Sequence, residues 1–178
     1  MTRMIWAITV GLFASVVPAQ AQPVPISKFP LVGPGPGTEA GQVYLTKAPR
    51  GLLVRIEVSG LTPGWHAVHF HSVADCSDAG FKMSGGHVHD MAGGASVHGL
   101  LNPGETDLGD LPNIYAAADG RANAEIFAPN LSLGAAAGRL NLLDSDGSAL
   151  VVHASADDHS SQPIGGAGAR VACAAIRQ

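Results

Sequence analysis

The sequence predicts an all-β domain, an antiparallel sandwich or barrel, and three observations point to it. Its 178 residues include 23 glycines and 12 prolines but only 5% aromatics. That composition suits many short strands joined by turns and disfavours long helices. In residues 52–58, Val54, Ile56 and Val58 alternate with Arg55 and Glu57, the period of a strand with one dry and one wet face. Asp144-Ser145-Asp146-Gly147 is a turn by composition, set between the apolar stretches 140–143 and 149–153 as in a hairpin. With 46% hydrophobic and 13% charged residues, the chain can build one sizeable core.

The first 21 residues stand apart. Arg3 precedes a mostly apolar run from Met4 to Val17 that ends in Ala19-Gln20-Ala21, the pattern of a secretory leader. Cleavage is expected after Ala21, leaving residues 22–178 as the mature, periplasmic domain. The run is short for a membrane span, and no later segment approaches the roughly 18 apolar residues a span needs. Gln22, and not cysteine, follows the cleavage point, so no lipid anchor and no membrane partner are expected. The net charge is −4, and losing Arg3 with the leader makes it −5, which argues against nucleic acid and anionic membranes as partners.

Export also decides how Cys76 and Cys173 are read. Two cysteines in an oxidising compartment form a disulfide, whereas a redox or metal pair would sit closer together in sequence. Closing a loop of nearly a hundred residues contributes roughly 4 to 5 kcal/mol in the chain-entropy treatment.

Along the mature chain, a proline- and glycine-rich lead-in covers 29–37, the strand at 52–58 follows, and Gly60-Leu61-Thr62-Pro63-Gly64 makes a turn. Residues 65–71 are read as a second strand and 121–127 as another. The region 72–113 shows little alternation and many Gly, Asp and His residues, and a structureless stretch of that length needs a ligand or function to order it.

Three of the eight histidines fall within residues 66–71. With a period of two, His66 shares a face with Val68 and Phe70, as a buried histidine bonded to backbone would. His69 and His71 share the other face, about 6 to 7 Å apart at a rise of ~3.3 Å per residue, so both imidazoles can converge on one ion. Alone, H-x-H serves equally as an exposed pair. His87 and His153, in two further segments, complete a four-imidazole set that suits copper. His87, His98, Asp107 and Asp110 form a second cluster that suits zinc, although each aspartate taken alone reads as a turn residue or helix cap.

At this point the residues carry a family likeness. His66-Ala67-Val68-His69-Phe70-His71, Asp75-Cys76, Gly85-Gly86-His87, His98-Gly99, Gly109-Asp110-Leu111-Pro112-Asn113, Val151-Val152-His153 with Asp157-Asp158, and the run 165–173 appear in an order and spacing that resembles bacterial copper-zinc superoxide dismutase. The resemblance covers nearly the whole mature chain. It implies an eight-stranded Greek-key β-barrel or sandwich with long metal-binding and channel loops, a fold for which the family is itself a usual example. It implies copper on His69, His71, His87 and His153, and zinc on His87, His98 and Asp110. Asp157 would link a copper-bound and a zinc-bound imidazole, and Arg170 would guide the substrate, superoxide, beside a catalytic His87. A copper-buffering protein on the same fold is the alternative, and a monomer or homodimer is compatible with the sequence.

The departures are specific. Asp107 stands where the family has a third zinc histidine, with the spacing to His98 and Asp110 retained, so it is read as a substituted ligand. Ala67 and Val68 replace a Gly-Phe pair. His89 and His159 have no counterpart and are read as surface histidines, with His89 a substitute nitrogen should Asp107 not serve.

Overall fold

The computed structural model describes residues 24–178 apart from 36 and 91–93; the expected leader lies outside them. The strands are β1 (Ile26–Val32), β2 (Glu39–Ala48), β3 (Gly51–Val58), β4 (Gly64–His71), β5 (Asp110–Ala116), β6 (Ala122–Ala128), β7 (Leu131–Ser132), β8 (Leu140–Asn141), β9 (Ser148–His153) and β10 (Arg170–Ile176). Eight of them form one sheet in the order β5-β4-β9-β10-β1-β2-β3-β6, with every pairing antiparallel. The sheet curls into a nearly closed barrel whose end strands β5 and β6 face each other. Placing β9 between β4 and β10, far from β6 in the order, requires the crossing connections of a Greek key.

The alternation in β3 is realised: Val54, Ile56 and Val58 are buried while Arg55 is exposed. They pack with Val68 and Phe70 of β4, Leu111 of β5, Leu150 and Val152 of β9, and Ala172, Ala174 and Ile176 of β10 in one core. The opposite faces of β9 and β10 are also dry, because Ala149, Val151 and Cys173 are covered by Phe81 from the loop after β4. The Cys76–Cys173 disulfide, spanning 97 residues, fastens that loop to β10. His69 and His71 pair with Val151 and Ala149, so this covered outer face of the barrel wall is where the histidines point.

Two expectations are corrected. The lead-in at 29–37 begins as strand, because β1 runs through Phe29-Pro30-Leu31-Val32. Pro30 is tolerated since β1 pairs with β10 at Val32 alone, which leaves most of that edge free of ladder bonds that need an N–H. Residues 140–143 and 149–153 do not form a hairpin. β8 lies parallel to β7, while β9 takes β4 and β10 as neighbours. The Asn141 side chain accepts from Gly134 N and Leu143 N, and this local closure outcompetes an antiparallel return.

Among the described residues of 72–109 there is no strand, only a short 3₁₀ turn at Lys82–Ser84, and 154–169 are likewise loop. Both lie over the outer face that carries the histidines.

Candidate metal centre

Register places the histidines before any ligand does. On β4 the alternation sends His66 inward, where its ring bonds the carbonyls of His153 and Thr62 at 2.7 Å each. His69 and His71 go outward, and His153 ends β9 on the same side. His87 arrives from the long loop through a bridge with His71. In β10 the register shifts between Arg170 and Ala172, a bulge of the kind that re-aims a side chain next to a site.

His69, His71, His87 and His153 each offer a nitrogen within 4.8 Å of the others, and all four are buried. Their neighbours set the tautomers, since carbonyl and carboxylate oxygens only accept. His71 Nδ1 donates to Gly85 O at 3.0 Å and His153 Nδ1 to Gly168 O at 3.3 Å. His69 Nε2 donates to Asp157 Oδ2 at 2.8 Å. The lone pairs left over are His71 Nε2, His153 Nε2 and His69 Nδ1, the last only 3.2 Å from His153 Nε2. Burial pushes His71 down to about 2 and His153 to about 3, and it lowers His69, so these rings stay neutral.

The second cluster is built differently. His98 Nε2 donates to Asp157 Oδ1 at 3.0 Å, which leaves Nδ1 facing Asp110 Oδ2 at 2.6 Å. His87 Nδ1 lies 2.9 Å from Asp110 Oδ1 and 3.4 Å from Asp107 Oδ2. Burial opposes a charge on His87, yet Asp107 and Asp110 outweigh it and raise the ring to about 9. His87, His98 and Asp110 group together with His69, whose ring stacks on His87 with centroids 4.1 Å apart. Asp107 is buried beside this group but is not a member of it, and its Oδ1 takes a hydrogen bond from Ser96.

These close approaches lack hydrogen-bond geometry. Of the eight buried side-chain atoms without a hydrogen-bond partner among the described residues, six belong to this site: His71 Nε2, both ring nitrogens of His87, His98 Nδ1, Asp107 Oδ2 and Asp110 Oδ1. Orphaned buried polar atoms are costly, and here they converge on two points joined by the His87 ring. The donors fit one ion among four imidazoles and another between two imidazoles and the carboxylates.

Asp157 spans both clusters through His69 and His98, and its bonds to those rings hold its carboxyl below the usual range despite burial. Gly165 is required beside it: at φ +58°, an added Cβ would fall 1.6 Å from Asp157 Oδ1. Arg170 donates from Nη1 to Phe81 O at 2.6 Å and Ser84 Oγ at 3.0 Å, and from Nη2 to Gly85 O at 2.8 Å.

The sequence reading missed several supports. Gln162 pairs with the backbone of His98, accepting from its N at 2.9 Å and donating to its O at 2.8 Å. Asn113 does the same for Asp157 at 2.9 and 2.8 Å. No local pattern marks such long-range amide pairs. His159 is not a free surface residue, because its ring contacts Asn113 Nδ2 at 3.2 Å and lies 3.5 Å from Asp157. His89 turns to the carbonyl of His87 and joins neither cluster.

The comparisons agree with this geometry. The family model described as copper/zinc superoxide dismutase (SODC) matches residues 39–176. A relative named superoxide dismutase [Cu-Zn] from Caulobacter vibrioides is 59% identical over 147 residues, 83% of each chain. One of the same name from Brucella abortus is 33% identical over 99% of each. Among solved structures, a double mutant of an SOD-like protein from Bacillus subtilis superposes with a TM-score of 0.78 at 34% identity, covering 85% of this chain and 97% of that one. Cu/Zn superoxide dismutase from Brucella abortus gives 0.66 at 31%, covering 85% and 99%. With barrel order, buried donors and these likenesses in agreement, the chain belongs to the copper/zinc superoxide dismutase family.

Proposed function

We propose that the chain is a periplasmic superoxide dismutase in which His69, His71, His87 and His153 hold copper, and His87, His98, Asp107 and Asp110 hold zinc. One observation carries the reading: both ring nitrogens of the buried His87 lack hydrogen-bond partners, and the ring stands between three neutral imidazoles and a carboxylate set. A copper carrier needs only the first set.

Bound copper supplies one-electron redox cycling, so that one superoxide is oxidised to oxygen and a second, with two protons, is reduced to hydrogen peroxide. The chain's own residues supply the rest. His87 Nε2 is where a proton is held between the half-reactions and handed to the reduced oxygen, while Nδ1 stays anchored among the zinc donors. Asp157 fixes the tautomers of His69 and His98, which keeps the correct nitrogen of each ring turned to its ion. Arg170 attracts and orients the anion. Three of its five N–H groups are engaged with the loop, so Nε and one Nη2 hydrogen remain for superoxide, and the charge is permanent.

Superoxide is the only partner the chemistry calls for. The leader 1–21 would direct the chain to the periplasm, where the disulfide is stable, and the domain works as a monomer or homodimer away from nucleic acid and membrane. Superoxide consumption by the copper- and zinc-loaded protein is the test. Activity well above that of free copper is expected. Stoichiometric copper binding without activity would instead establish the copper-buffering reading.

A further inference from the structure

Asp107 offers two oxygens where an imidazole would offer one nitrogen, and the two are not equivalent. Oδ2 is buried without a hydrogen-bond partner and faces His87 Nδ1 at 3.4 Å. It lies two bonds beyond Cβ, the same reach as Nδ1, and Nδ1 is the atom that both His87 and His98 turn to this cluster. Oδ1 is occupied by a 2.5 Å hydrogen bond from Ser96 Oγ. Ser96 is held opposite Asp107 by a local closure of the loop. Val97 O accepts from Thr106 N and Asp107 N at 3.0 and 3.2 Å. Thr106 Oγ1 accepts from Val97 N at 2.8 Å and donates to Ala95 O at 3.0 Å.

We propose that Ser96 is the positioning residue that sets the metal selectivity of the second cluster: by engaging Oδ1 it confines Asp107 to one coordinating oxygen. This rests on the reading of Asp107 as a ligand. A ligating carboxylate can bind through one oxygen or two. With Oδ1 engaged, the donors number four, as tetrahedral zinc requires. With Oδ1 free, the same residue adds a second oxygen and brings the donors to five, which suits larger oxygen-preferring ions such as manganese(II). Hydrogen bonds to ligating carboxylates tune metal sites in this way, and losing one typically costs 10- to 100-fold in affinity.

The test uses the full chain, copper-loaded and with the second cluster stripped, titrated separately with zinc, cobalt(II) and manganese(II). Ser96→Ala is expected to weaken zinc about tenfold, to lower the intensity of the cobalt(II) d–d bands as coordination rises above four, and to narrow the preference for zinc over manganese(II). Ser96→Thr, which keeps the hydroxyl, should restore all three. In an Asp107→His background, Ser96→Ala should change none of them, because imidazole has no second oxygen to restrain. If Ser96→Ala leaves zinc affinity and the cobalt spectrum unchanged while Asp107→Asn lowers the affinity, the role of Ser96 is overturned and the ligand reading stands. Unchanged zinc affinity in Asp107→Asn overturns the ligand reading, and the inference with it.

Discussion

The two clusters share a ring and a depth of burial, yet they treat a proton in opposite ways. In the first, four imidazoles crowd together beside Arg170, and burial drives His71 and His153 to about 2 and 3. In the second, Asp107 and Asp110 overcome the same burial and lift His87 to about 9. Desolvation penalises any charge, so the sign of the outcome is decided by whether a counter-charge is buried alongside. His69, His71 and His153 form a neutral nitrogen set suited to copper, and the second cluster is an anionic site that favours a resident cation and holds the shared His87 charged without one.

The strongest way to break this contrast is at the neutral cluster. His69→Ala or His153→Ala should abolish superoxide consumption and copper binding, whereas His89→Ala should leave most of both, since His89 joins neither cluster. Equal loss in all three variants would defeat the assignment.

A smaller effect is expected from charge at the entrance. Arg170→Glu should slow the reaction by about tenfold or more and flatten or reverse its fall with ionic strength, electrostatic steering being an effect this enzyme family itself illustrates. An unchanged salt profile would locate the guiding charge elsewhere.

At the anionic cluster, Asp107→His removes one carboxylate. The site should then prefer nitrogen-seeking ions such as zinc more strongly, and fewer protons should be released on loading at neutral pH because His87 loses part of its support. Proton release in weak buffer measures this, and an unaltered count would show that Asp107 does not act on His87.

The smallest effect is on stability of the metal-free chain. His87 is raised above its ordinary 6.5, so its contribution is complete below that pH and is lost as pH climbs from 6.5 through about 9. His71 and His153 are lowered, so below 6.5 the unfolded chain takes up protons that the folded chain refuses, and stability falls toward pH 3. Melting temperature should therefore peak near 6.5, with the alkaline limb flattened in Asp107→Asn. A melting temperature that rises between pH 7 and 9 would contradict the contrast.

Much of this was legible in the sequence because it depends on short-range periodicity. Val54, Ile56 and Val58 announced a half-buried strand, and the two-residue period separated His66 from His69 and His71. His98 and Asp110, two of the expected loop donors, do come together with His87. What could not be read depends on partners distant in the chain. The fate of 140–143 is settled by Asn141 and β7, and Pro30 sits in a strand because of what β10 leaves unpaired. The amide pairs of Gln162 and Asn113 join residues more than forty positions apart. The choice of nitrogen on each ring follows from carbonyls and carboxylates that only the folded chain brings near.

Asp157 bonds one ring of each cluster, and this makes the two metal occupancies a single thermodynamic cycle. An ion that orders His98 also orders Asp157 and, through it, His69. Whatever factor zinc adds to the affinity for copper, copper must add to the affinity for zinc, because both routes around the cycle end in the same doubly loaded state. Typical couplings of this kind span about 5- to 150-fold. A chain that acquires either metal first is thereby primed for the other, and severing the link at Asp157 should make the two ions bind as strangers.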